Sequence, residues 1–248
     1  MFFMRLRRSA KWAFILLIFV FAFTFLFAGV GSGGGGNVIS DLLGMRGGGN
    51  AIKTAEKDVA AHPKDASALN RLATAYIGQN RRGDAIKTYE KYLRLKPNDP
   101  SGYSQLGSLQ DQIVTLRGNR YAALRSELAI VSGPLSSDPL ATLAGSDSLL
   151  TSYTTALTTK LSNAYGSYAT ATQALESTYK SYVKVVPKTD AIQRAQAELQ
   201  LAQAAQYAGD YTTAIKSYKS YLRLMPKSPL TAQVKKVLAE LQKTSSSS

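Results

Sequence analysis

Three stretches of the chain carry one pattern at one spacing. Ala51-Ile52-Lys53-Thr54-Ala55-Glu56 leads to Pro63, Ala85-Ile86-Lys87-Thr88-Tyr89-Glu90 leads through Tyr92-Leu93-Arg94-Leu95 to Pro97, and Ala214-Ile215-Lys216-Ser217-Tyr218-Lys219 leads through Tyr221-Leu222-Arg223-Leu224 to Pro226. The interval from alanine to proline is the same in all three, and Pro63 and Pro97 are set apart by a period of about 34 residues. A looser copy ends at Pro187, with Tyr179 placed before it as Tyr89 stands before Pro97 and Tyr218 before Pro226. A fixed period of this length marks stacked helical pairs, each unable to bury its apolar face alone. Pro97, Pro187 and Pro226 then stop the second helix of a pair and set the turn into the next.

The positions inside the period resemble a known family. Counting back from Pro97, Leu69, Leu72, Ala73, Tyr76, Ala85 and Tyr89 fall on the pattern of the tetratricopeptide repeat (TPR). From Pro226 the same count reaches Tyr218, Ala214, Ala202 and Leu201, with Gly209-Asp210-Tyr211 in the turn between helices. There the first helix's aromatic is expected at Tyr207 rather than Ala205, and Glu198 is a poor start. A further first helix begins at Pro100-Ser101 with Tyr103, Leu106 and Gly107 in register, and its second helix loses the pattern. The resemblance implies an all-α fold, a TPR-like helical solenoid over residues 51–243 in which small residues let helices approach and paired aromatics fill between repeats. Leu230 to Leu241 reads as a C-terminal capping helix and residues 244–248 as a disordered tail.

Between the recognisable repeats, residues 110–186 read as a divergent inserted hairpin of long helices. One helix is expected from Ser101 to Val131 with a break near Gly118-Asn119, the other from Leu149 to Val186, with a Ser, Asp, Gly and Pro-rich surface loop from Ser132 to Ser148. The second helix carries Leu161, Tyr165, Tyr168, Thr172, Leu175, Tyr179, Tyr182 and Val186 at alternating steps of four and three, a seam for side-by-side packing. His62, beside Pro63, is expected in a loop.

The N-terminal part is of another kind. Arg5, Arg7, Arg8 and Lys11 in a basic segment 1–11 precede Trp12, and the chain then runs from Ala13 to Val30 without a charge. As a helix this uncharged run rises about 27 Å, close to the apolar thickness of a bilayer. The expectation is a single transmembrane helix over 12–30, its basic end cytoplasmic and all that follows extracytoplasmic. Ten glycines between residues 29 and 50 make 31–50 a flexible linker. Gly29-Val30-Gly31-Ser32-Gly33-Gly34 matches the spacing of dinucleotide loops but lacks the strand before and the helix after that such loops need.

Composition narrows function. With no Cys and a single His, thiolate chemistry and histidine metal clusters are excluded, and no Walker A loop, His-Glu-x-x-His or Gly-x-Ser-x-Gly is present. The expectation is therefore no enzyme, no cofactor and no metal. The resemblance implies that first helices present a peptide-binding face. That face would hold Asn70, Arg71 and Thr74, then Ser104, Gln105, Ser108 and Gln112, then Gln196, Gln200 and Gln203. Uncharged amides and hydroxyls pair with either kind of backbone group, which suits recognition of a polypeptide. The lysine-and-asparagine clamp for a terminal carboxylate found in some chaperone-binding relatives is incomplete, with Asn70 and Arg71 but no matching lysines. The leading expectation is a membrane-anchored scaffold for protein partners, an adaptor in assembly, secretion or quality control. The alternative comes from charge: 30 basic against 16 acidic residues leave +10 beyond residue 11, which outside the cytoplasm argues against nucleic acid and for anionic lipid or a cell-wall polymer.

Overall fold

A computed structural model of the chain describes residues 48–133 and 146–246. The expected membrane span, most of the glycine linker and much of the central loop lie outside the described residues. The described helices are α1 (Gly48–Ala61), α2 (Ala66–Gly78), α3 (Arg82–Leu95), α4 (Pro100–Val131), α5 (Ser146–Val185), α6 (Ala191–Ala208), α7 (Tyr211–Leu224) and α8 (Thr231–Ser246). Among the described residues there is no strand and no helix long and apolar enough to cross a membrane. Each helix packs chiefly on its neighbours in sequence, α1 on α2, α2 on α3 and so on to α8. This is the arrangement of a helical solenoid, in which stability is a sum of units and nearest-neighbour interfaces.

Local chemistry sets the helix ends. Asp65, Asp99, Asp190 and Asp210 cap α2, α4, α6 and α7, each accepting from a backbone N–H of the first turn at 2.8–3.2 Å. These bonds satisfy donors that a helix start otherwise leaves orphaned. The turn from α2 to α3 passes through Asn80 at φ 58°, and the turn from α6 to α7 passes through Gly209 at φ 80°. Both residue types tolerate this left-handed conformation, and the two occupy the same place in their units. One constant offset in sequence carries Asn80 onto Gly209 and the rest of the first unit onto the last. Buried Ala68, Leu69, Leu72, Ala73 and Tyr76 of α2 correspond by it to buried Ala197, Glu198, Leu201, Ala202 and Ala205 of α6. Likewise Ala85 and Tyr89 of α3 match Ala214 and Tyr218 of α7. Glu198 thus takes a core position, and Ala205 rather than Tyr207 fills the aromatic's place. Tyr207 stays 50% exposed, because two residues along a helix is more than half a turn away from the core face.

The unit between these two is an interrupted repeat. Gly102, Leu106, Gly107 and Gln110 of α4 are buried at the positions of Ala68, Leu72, Ala73 and Tyr76, one period further along the chain. Leu175, Tyr179 and Tyr182 of α5 hold the positions of Ala85, Tyr89 and Tyr92, with Pro187 for Pro97. Where a short turn leads from Tyr76 to Ala85, the whole of residues 111–174 intervenes between Gln110 and Leu175. The bases of α4 and α5 therefore serve as a repeat while their distal halves extend as a two-helix arm. At 32 and 40 residues the two helices are about 48 and 60 Å long.

Several sequence expectations are corrected here. α4 is unbroken at Gly118-Asn119; a Cβ on Gly118 would lie 3.1 Å from the Tyr168 ring, so the glycine serves close approach of two helices rather than a break. In the α5 seam Thr172, Leu175, Tyr179, Tyr182 and Val186 are buried, but Tyr165 is 56% exposed and Leu157 and Ala164 are buried instead. The seam shifts because α6 flanks only the base of α5. The buried cluster that α6 joins through Ala197, Leu201 and Ala204 extends along α5 only to Ala171 and the partly buried Tyr168. The capping helix begins at Thr231 and continues through residues 244–246 of the expected tail.

Two glycines of the base carry the closest approaches. A Cβ on Gly107 would fall 2.5 Å from Cε1 of Tyr179, and one on Gly102 would fall 2.7 Å from Cε1 of Tyr92. Tyr92 in turn donates to the capping carboxylate of Asp99 at 2.5 Å, and Tyr221 meets Ser228 at 2.7 Å in the matching place. Burial first, and the Asp99 carboxylate second, push the Tyr92 hydroxyl up to about 12. In urea unfolding, Gly107→Ala should cost about 1–3 kcal/mol by overpacking. Gly166→Ala, with nothing within 4 Å of the added methyl, should stabilise by up to about 1 kcal/mol through helix propensity. Because the folded pKa of Tyr92 lies above its unfolded value, its contribution is present below pH 10 and is lost as pH rises toward about 12. Thermal melts across that window should show a shallower decline in Tyr92→Phe.

Candidate functional site

The first helix of each unit presents polar residues, and their surroundings sort them. On α2, Asn70 is held by Tyr89, whose hydroxyl donates to Asn70 Oδ1 at 3.2 Å, and Thr74 donates back to the Asn70 carbonyl at 3.0 Å. Arg71 pairs with Asp58 of α1 and lies 3.9 Å from Asp65, the cap of its own helix. The Arg71 hydrogen bond holds the Asp58 carboxyl below its usual range. Arg71 is thus a tie between helices. Tyr76 donates to Glu56 at 2.8 Å beneath the Arg81 guanidinium, which closes the same unit.

On α4, Ser104 is half-buried and hydrogen-bonds the Tyr182 hydroxyl, whose pKa burial chiefly raises. Gln105 and Ser108 are exposed. Gln112 accepts from Arg82 Nε at 2.6 Å, linking α4 to the start of α3. On α6, Gln196 and Gln203 are exposed and Gln200 is half-buried.

Of the ten residues, the structure brings Gln200 and Gln203 into a shared cavity. It has a volume of about 100 Å³ and is lined by Asp111 of α4, Leu175 and Tyr179 of α5, and Gln200, Gln203 and Ala204 of α6. The α2 set lies outside this cavity. Gln200 also carries a side-chain oxygen, Oε1, that is buried without a protein donor, an arrangement that costs free energy unless something supplies one. Asp111 is exposed as a residue, and the protein atoms around its carboxyl raise its pKa by partial desolvation. Tyr179 is the wall; burial first, then the nearby Asp111 charge, hold its hydroxyl protonated far above the usual tyrosine range. One carboxylate, two amides and a tyrosine thus line a space the size of a small side chain or a peptide group. Among the described residues no group of three or more His, Asp or Glu is placed to hold a metal.

With this geometry in view, residues 40–100 match the tetratricopeptide repeat family. The chain carries a tetratricopeptide repeat there. The match covers α1, α2 and α3, and α6 with α7 repeats the same buried positions at a constant offset. No curated protein matches the chain.

Sequence reasoning misses Asp111, although the signal is present. Asp111 stands seven positions after Ser104 and three after Ser108, on the same helical stripe, next to Gln112, which that stripe includes. Tyr179 reads from sequence as packing, and it does pack, while also walling the cavity. Carboxyl titration followed by NMR should place Asp111 above the ordinary aspartate value, and Gln203→Ala, which opens the cavity rim to water, should bring it back toward that value.

Proposed function

We propose that the chain is a membrane-anchored, extracytoplasmic TPR scaffold that binds a polypeptide partner along its first helices, with α4, α5 and α6 forming the contact that matters most. The observation that carries the reading is the cavity lined by Asp111, Gln200 and Gln203, one of which, Gln200, has a side-chain oxygen without a donor. Turned into the cavity, the Gln200 amide oxygen accepts from a peptide N–H, and the Gln203 amide can pair with the peptide carbonyl. Exposed Gln105, Ser108 and Gln196 extend the same polar stripe. The reading involves no catalytic step. Anchoring and sidedness rest on the sequence, on the uncharged run Ala13 to Val30 and its basic flank. An adaptor in assembly, secretion or quality control fits such a scaffold.

Two measurements test this. Photoreactive groups at Ser108 and Gln203 should crosslink one discrete polypeptide in native membranes, whereas the same groups at Lys87 and Lys219, exposed on second helices, should not. Equal capture at all four positions contradicts a groove. The chain has no native cysteine, so single variants report sidedness cleanly. Lys227→Cys should react with a membrane-impermeant thiol reagent in intact cells and Arg8→Cys should not; the reverse pattern overturns the topology.

A further inference from the structure

On the arm, apart from the peptide cavity, the seam between α4 and α5 opens into a cleft of about 300 Å³ lined by Arg117, Arg120, Lys160, Asn163, Ala164 and Ser167. Half of this lining is cationic and none of it is acidic. Arg117 and Arg120 share one face of α4 one turn apart, and Lys160, Asn163, Ala164 and Ser167 share one face of α5. Arg117 Nη1 donates to the Ser167 backbone carbonyl at 2.9 Å. That bond pins the guanidinium across the seam and leaves its other N–H groups to point elsewhere. Arg120 and Lys160 are exposed at the rim.

Elsewhere in the molecule cations find carboxylates: Arg71 pairs with Asp58, Arg81 with Asp84, and Lys180 with Glu176 and Asp210. Among the described residues no ion pair includes Arg117, Arg120 or Lys160. The acid on the distal half of α4, Glu127, takes the Tyr153 hydroxyl. With no carboxylate paired to them among the described residues, these three like charges repel one another. An anion with several oxygens relieves that repulsion, and a planar guanidinium fork together with amide and hydroxyl donors fits tetrahedral phosphate oxygens.

We propose that this cleft binds a phosphate-type anion, supplied either as a free phosphate or as the headgroup of an anionic lipid. Arg117 forms the fixed floor, Arg120 and Lys160 close on the anion from two helices, and Asn163 and Ser167 donate to its remaining oxygens. The site is independent of peptide binding, since it shares no residue with the cavity at Gln200.

The test uses the full chain in phosphatidylcholine nanodiscs. One arm titrates inorganic pyrophosphate; the other measures recruitment of the loaded discs to vesicles containing phosphatidylglycerol. The variants are Arg117→Ala/Arg120→Ala/Lys160→Ala and, as a control of equal charge, Lys87→Ala/Lys91→Ala/Lys235→Ala. The arm triple should weaken binding of at least one probe tenfold or more, while the control stays within twofold of the parent; the probe affected identifies the source. Should the triple melt early, the single exposed change Arg120→Gln still lowers affinity threefold or more if the site is real. Equal losses in both triples, or no saturable binding of either probe, overturn the proposal.

Discussion

The contact on which this molecule turns is the ring of Tyr179 lying on the bare backbone of Gly107. It joins, at the base of the hairpin, the two positions that buried Ala73 and Tyr89 hold in the first unit and buried Ala202 and Tyr218 in the last. The solenoid is then continuous from α1 to α8. The same ring walls the cavity at Gln200, so the packing that restores the repeat also shapes the candidate peptide site.

An insertion of this kind costs little where it is placed. It enters at the turn between the two helices of a unit, the point where α2 passes to α3 through Asn80 and α6 to α7 through Gly209. Both helices continue in register past that point, so no backbone group loses its partner. What the arm gives up is a third neighbour. Beyond the reach of α6 its seam rests on few buried side chains, Leu157 and Ala164 among them, while Leu116, Tyr165 and Ile130 stay exposed. The Tyr121 ring stacked on Tyr168 and the Arg117 bond to Ser167 supply cross-links in place of a core.

The periodic part of the fold was legible because its signals are local. Alanine, tyrosine and proline at fixed intervals report helix ends and faces without knowledge of what lies opposite, and the helices found at α1, α3 and α7 keep that interval. Misreadings arise where the neighbour decides. Gly118 looks like a helix break until Tyr168 is seen against it, and Tyr165 looks like seam although it stays exposed while Ala164 beside it is buried. Tyr207 likewise looks like the core aromatic of α6, a place held by fully buried Ala205. The candidate site was legible in part. Gln200 and Gln203 follow from helix phase, whereas Arg71 reads as groove only until its partner Asp58 on α1 is known. The cationic cleft joins residues far apart in the chain, on two helices whose relative register no local pattern encodes.

The central claim is that α4 and α5 are one repeat opened by an insertion. It is tested most directly by closing the repeat: residues 113–171 are replaced with the turn Gln79-Asn80-Arg81 that joins α2 to α3, and native-state hydrogen exchange is followed across the array. The account expects the shortened chain to unfold in a single transition, with α2 and α6 keeping matched protection through the rebuilt unit. Loss of that coupling, with α1 to α3 and α6 to α8 exchanging as separate bodies or the chain failing to fold, would contradict it.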